Sequence, residues 1–187
     1  MATRDLVLAA LFAAIIVALG LVPPIMLGFI PVPITAQSLG VMLAGVVLGA
    51  RRGAVAVLLV LVLAAIGLPV LSGGRGGLAV FMAPTTGYLI GWVLAALATG
   101  YLSQLLVSRG QPGFVQTVNF FVAALFGGVL VLYACGIVYL AVVSGIGFSK
   151  AFLGSLAFIP GDVLKSLIAA LAGRAVMVGY PLLPQRA

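Results

Sequence analysis

Histidine is absent from this chain of 187 residues, and Asp5 and Asp162 are its only carboxylates. No Ser–His hydrolytic pair can form, and no dyad of buried acids. A multi-carboxylate metal site cannot be assembled either. No phosphate-binding glycine–lysine loop is present, so the chain carries no ATP site of that kind. Enzyme activity is not expected. A single cysteine, Cys135, rules out an intrachain disulfide and reads as a buried, inert thiol. Charged residues make up 6% of the chain, against roughly 25% in soluble domains.

What is present is apolar. Hydrophobic residues account for 65% of the chain, and the mean hydropathy is +1.42. This composition defines an integral membrane protein. The formal charge of +7 then reports membrane topology and lipid headgroup contacts, not nucleic-acid binding. Residues 1–5 precede an apolar run in the manner of a signal peptide. The run 6–22 is longer than a signal core and no convincing cleavage site follows, so it reads as a retained span.

The stretch 67–92 organises the rest. Its glycines, two prolines and Arg75 cannot continue a membrane helix. Lipid cannot satisfy irregular backbone, so such a segment either lines a cavity or forms a plain external loop. It also concentrates polar groups: Ser72, Arg75, Thr85, Thr86 and Tyr88. Six spans are expected, at about 5–22, 36–49, 54–68, 85–107, 116–143 and 160–180, forming one all-α bundle. The second and third are short and must extend into flanking segments or be sheltered. Pro31 and Pro33 break the chain before the second span, and Thr35 can cap it. Gly127 and Gly128 suggest close packing or a kink in the fifth. Pro160 and Asp162 fit the N-terminus of the sixth.

Arg4, Arg51, Arg52, Arg109, Arg174 and Arg186 fall on one side of this scheme, and Arg75 and Lys150 on the other. The bias places both termini in the cytoplasm. Asp162 and Lys165, three apart, share a face of the sixth helix. Charges in a membrane are costly and face a cavity or a partner; the pair is either a ligand site or a self-compensating ion pair. Ala9 and Ala13, like Ala10 and Ala14, are spaced to let another helix approach.

Three motifs then match a known family: Gly67-Leu-Pro-Val-Leu-Ser-Gly-Gly-Arg-Gly-Gly77, Ala83-Pro-Thr-Thr-Gly-Tyr-Leu-Ile-Gly-Trp92 and Phe158-Ile-Pro-Gly-Asp-Val-Leu-Lys165. With Val32-Pro-Ile-Thr-Ala-Gln37 they resemble the BioY family, the biotin-binding S components of energy-coupling factor (ECF) vitamin transporters. The resemblance runs in order through nearly the whole chain. Thr86 departs from the family's glycine, and Ala157 from its frequent proline. The resemblance implies a multi-pass protein of a bacterial-type plasma membrane. It implies biotin as transported ligand with no cofactor, and as partners a transmembrane T component and two ATP-binding-cassette ATPases.

On this reading Asp162, Lys165, Arg75, Tyr88, Gln37, Thr35 and Thr85 are the ligand-binding candidates, and Ala9 and Ala13 the T-component contact. Asp162 can accept from the ureido N–H groups of biotin, Lys165 can donate to either end, and Arg75 suits the carboxylate. Tyr88, Trp92 and Phe81 can wall the rings, although for Trp92 plain packing or an interfacial belt is the better fit. Three alternatives stay open: an S component for another small vitamin, a structural protein whose Asp162–Lys165 pair serves a partner helix, and a small oligomeric secondary transporter.

Overall fold

A computed structural model describes residues 2–183. Among them the ordered elements are helical, apart from two isolated bridges in loops. In chain order they are α1 (Thr3–Gly20), α2 (Gln37–Leu48), α3 (Ala50–Ala65), α4 (Thr86–Leu106), α5 (Gly113–Leu125), α6 (Leu132–Val143), α7 (Phe148–Leu156) and α8 (Ile159–Gly179). Helix α4 runs through the middle of the bundle, packed on α2, α3 and α6. Helix α8 packs on α2 and α5, and α1 on α2 and α3.

The apolar runs set the helices, and proline and glycine set their ends. Helix α1 stops at Gly20, just before Pro23 and Pro24. A single residue, Gly49, separates α2 from α3, and the Gln104 side-chain oxygen accepts the Ala50 N–H there at 3.2 Å. Helices α5 and α6 are one continuous run, joined by the π-helical turn Phe126–Val131. The glycine pair therefore produces a π turn, with Gly127 pressed on Thr99 and Ala95 of α4 and Gly128 on Met42 of α2. At Gly127 the α4 backbone leaves no room for a side chain, whereas at Gly128 the obstruction is the Met42 side chain.

Among the described residues, three helices are long and apolar enough to cross a membrane: Thr3–Gly20, Thr86–Leu106 and the 31-residue Gly113–Val143. Helices α7 and α8, bent by 53° at their junction, add a fourth if taken as one broken span. Helices α2 and α3, of 12 and 16 residues, fall short of the usual length. The mixed segment before α8 is itself helical, as α7. Thr35 does not cap α2: the cap position is Ala36, without a side-chain bond, and Thr35 instead offers its backbone carbonyl to Lys165.

The bundle has two unlike ends. At one, Arg52 pairs with Asp5 at 2.7 Å and donates to the Leu182 carbonyl, while Arg4 donates to the Tyr180 hydroxyl and lies over its ring. These contacts gather the start of α1, the α2–α3 turn and the end of α8. Arg186 lies outside the described residues. The other end is made of loops 21–36 and 66–85 and of α7.

Ala9 and Ala13 do not present a free face. They are 0% and 5% exposed, with Ala9 in an apolar cluster with Val47 and Ala56 and Ala13 in one with Val57 and Val60. The other pair at the same spacing, Ala10 and Ala14, is the exposed one. A 3.6-residue period means that a one-residue change of register turns an alanine from the core to the membrane side. Cys135 is only partly buried, so the fully buried thiol expected from its apolar run is not found.

Candidate functional site

At the looped end lies a cavity, about 600 Å³ when the space of its open mouth is included. All seven residues singled out as ligand-binding line it: Thr35, Gln37, Arg75, Thr85, Tyr88, Asp162 and Lys165. They come from four separated parts of the chain: the α1–α2 loop with the start of α2, the glycine-rich loop, the N-cap and first turn of α4, and α8.

The polar floor belongs to α8. Asp162 sits in its first turn and is 4% exposed. Lys165, one turn on, donates to Asp162 Oδ1 at 2.8 Å, to the Thr35 carbonyl at 2.8 Å and to Ser38 Oγ at 3.0 Å. The second carboxylate oxygen, Oδ2, accepts from the Tyr133 hydroxyl at 2.6 Å, and Ser38 Oγ makes a longer contact to Oδ1 at 3.4 Å. Both charges are thus held by several partners, as a buried ion pair requires. Thr35 takes part through its backbone carbonyl.

The opposite wall is the glycine-rich loop. Leu71 and Arg75 exchange both backbone hydrogen bonds, closing a tight turn. Gly73 and Gly74 occupy it at φ 76° and 70°, a conformation that costs other residues energy. The turn aims Arg75 at the cavity. Its Nε donates to the Ser72 carbonyl at 3.2 Å, and Nη1 reaches Thr85 Oγ1 at 3.4 Å. The rest of the guanidinium fork stays available. Partial burial lowers the pKa of Arg75 from its ordinary value by desolvation. A bound anion would oppose that effect.

Gln37 does a different job from the one expected. Its amide donates to the carbonyls of Ile16 and Val70, and its oxygen accepts the Ser72 N–H at 2.7 Å. The side chain straps the end of α1 to the glycine-rich loop, with both amide donors used and one acceptor site of its oxygen left.

The apolar walls are Trp92, Tyr88, Leu89, Leu132 and Phe158. Trp92 is 6% exposed and packed in the apolar core where it also lines the cavity, so it does not belong to an interfacial belt. Phe81 does not line the cavity. The Tyr88 hydroxyl shares a 2.8 Å hydrogen bond with Ser155 of α7, and its ring meets Phe158 edge-on. Sequence reasoning missed Tyr133, Ser38 and Phe158. A tyrosine in an apolar helix and a serine next to Gln37 carry no distinguishing pattern. Phe158 stood inside a quoted motif, next to the helix start.

Apolar helices enclosing a solute-sized cavity, with an internally paired acid and base at its floor, define an all-helical membrane protein built to hold a small polar solute. The model of the BioY family matches residues 1–181. The chain belongs to the BioY family. It is 75% identical over 187 residues to the biotin transporter BioY of Rhizobium etli, covering all of both chains. It is 49% identical to the biotin transporter BioY of Rhodobacter capsulatus, over 92% of this chain and 93% of that one. Among solved structures it resembles the S-component for biotin from an ECF-type ABC transporter. The TM-score is 0.88 and the identity 33%, with 97% of each chain covered. These relatives are named as transporters, not enzymes.

Proposed function

We propose that this chain is the S component of a biotin uptake transporter, a single bundle of six spans with both termini in the cytoplasm. It captures biotin at the outer side and hands it inward with a T component and two ATPases. The carrying observation is that one cavity is lined by an acid, two bases and four aromatic side chains, in a chain so similar to named biotin transporters. The floor formed by Asp162, Lys165, Ser38 and Tyr133 suits the ureido group, which offers both N–H donors and a strong acceptor. Arg75, with Thr85 beside it, suits the valerate carboxylate. Trp92, Tyr88 and Phe158 enclose the rings. Asp162, Lys165 and Arg75 together carry one net positive charge, which a single carboxylate balances.

The concentration of arginines at the end away from the cavity supports the cytoplasmic placement of the termini. On α1 the face left for the T component is the exposed row Ala10, Ala14 and Ala18. One observation favours the pair as purely structural: Asp162 and Lys165 are already satisfied by protein groups. Calorimetry on detergent-purified protein decides. Saturable 1:1 biotin binding is expected, and folded protein that gives no binding overturns the reading. Ala10→Trp with Ala14→Trp should abolish copurification with the T component and leave biotin binding intact. Assembly that survives both tryptophans removes this face from the interface.

A further inference from the structure

The residues at the start of α2 reach both charged walls of the cavity at once. Toward α8, the Thr35 carbonyl and Ser38 Oγ accept from Lys165 at 2.8 and 3.0 Å. Toward the glycine-rich loop, Gln37 donates to the Val70 carbonyl at 3.0 Å and accepts the Ser72 N–H at 2.7 Å. Its other amide hydrogen goes to the Ile16 carbonyl of α1 at 3.1 Å, so one side chain anchors that loop to two helices. Gln37 and Ser72 are each 1% exposed. A Cβ on Gly20 would collide with both the Gln37 amide and the Val70 carbonyl, so α1 presses directly on this junction. A second, longer tie runs from Ser72 Oγ to the Val22 carbonyl at 3.3 Å, outside the cavity lining.

The turn that carries Arg75 keeps its own shape without Gln37. Leu71 and Arg75 close it, and Gly77 donates to the Ala64 carbonyl of α3 at 2.7 Å. What Gln37 adds is the position of that turn relative to α8. Arg75 donates from Nε to the Ser72 carbonyl, so a shift of Ser72 carries the guanidinium with it. We infer, on the proposed reading of the cavity, that Gln37 is a positioning residue. It fixes the spacing between the loop wall and the helix wall, and so the length of acid chain that the cavity accepts. The ring end of the ligand is held by α8 and the acid end by the loop. A ligand engages both only if its chain spans the gap that the start of α2 sets. Gln37 needs no contact with the ligand for this, because it acts through Ser72 and Arg75.

Calorimetry on the detergent-purified full chain tests this with biotin, its amide, and analogues whose acid chain is one methylene shorter or longer. Wild type should bind either altered chain about tenfold more weakly than biotin, the lower end for one methylene in a fitted site. Gln37→Met keeps the length of the side chain but none of its hydrogen bonds. It should weaken biotin about tenfold, the loss of one charged hydrogen bond, and bring the chain lengths within about threefold of each other. Biotin amide should bind this variant and wild type within about twofold, because it has no carboxylate for Arg75 to hold. Ser72→Ala cuts the second tie without touching the cavity. It should weaken biotin about threefold and again spare the amide, and it decides alone if Gln37→Met does not elute as folded protein. Equal losses for biotin and its amide make Gln37 a general support of the cavity and overturn the positioning role. Loss in Gln37→Met with none in Ser72→Ala makes the glutamine oxygen a direct ligand, which also overturns it. Wild type that binds every chain length alike leaves no spacing to be set and overturns it as well. Wild type that binds no biotin overturns the functional reading too; under every other failing outcome that reading stands.

Discussion

The two charged walls of the cavity are built on different terms. On α8, Asp162 and Lys165 sit on a rigid helix and complete each other, with Tyr133, Ser38 and the Thr35 carbonyl filling their remaining positions. On the glycine-rich loop, Arg75 has one firm bond to Ser72 and a long contact to Thr85, and makes no ion pair among the described residues. The first wall is finished without a ligand, so ligand must share its hydrogen bonds. The second has donors left over, and an anion completes it. The orientation we propose for biotin follows from this contrast: ring at the helix, carboxylate at the loop.

The strongest test breaks the helix wall. Asp162→Asn leaves Lys165 uncompensated, and Lys165→Met strands the carboxylate. Loss of one partner of a buried pair costs about 3–5 kcal/mol of stability. Both variants should therefore melt earlier, and calorimetry should show biotin bound about a hundredfold more weakly, the upper end for a charged hydrogen bond. The double variant should lose less than the sum, because the groups are neighbours. Single variants within twofold of wild type in binding would make the pair purely structural.

The loop wall is tested with a changed ligand. Arg75→Gln should weaken biotin about tenfold, with stability close to wild type. Biotin amide, lacking the carboxylate, should bind wild type about tenfold more weakly by the same bond. It should lose nothing further in Arg75→Gln. If the two losses multiply, the carboxylate lies elsewhere and the orientation is reversed.

A smaller effect sharpens the helix side. Tyr133→Phe removes one donor to Asp162 Oδ2 but leaves Lys165 and Ser38 in place. About a fivefold weakening is expected. Tyr133→Phe weaker than Asp162→Asn would make the phenol a direct ligand of biotin, not a support for the carboxylate.

Much of this site was legible in the residues. A chain with two acids and so few polar groups leaves little choice about which side chains do chemistry, and the cost of charge in lipid drives them together. The membrane class, the helix runs and the break at 67–92 followed from composition, glycine and proline. Asp162 and Lys165 could be placed on one face by spacing alone. Local pattern could not show that Gln37 would be consumed in strapping α1 to the loop, because its acceptors Ile16 and Val70 are distant in sequence. Nor could it separate Ala9 and Ala13 from Ala10 and Ala14. Both pairs have the same spacing and chemistry, and only the packing of α2 and α3 decides which is buried. Trp92 and Tyr133 became cavity residues the same way. In an apolar helix every face is hydrophobic, so hydropathy carries no direction. Residue chemistry alone sets where charge and irregular backbone must be. Which faces meet, and so which side chains surround the solute, was decided when the helices packed.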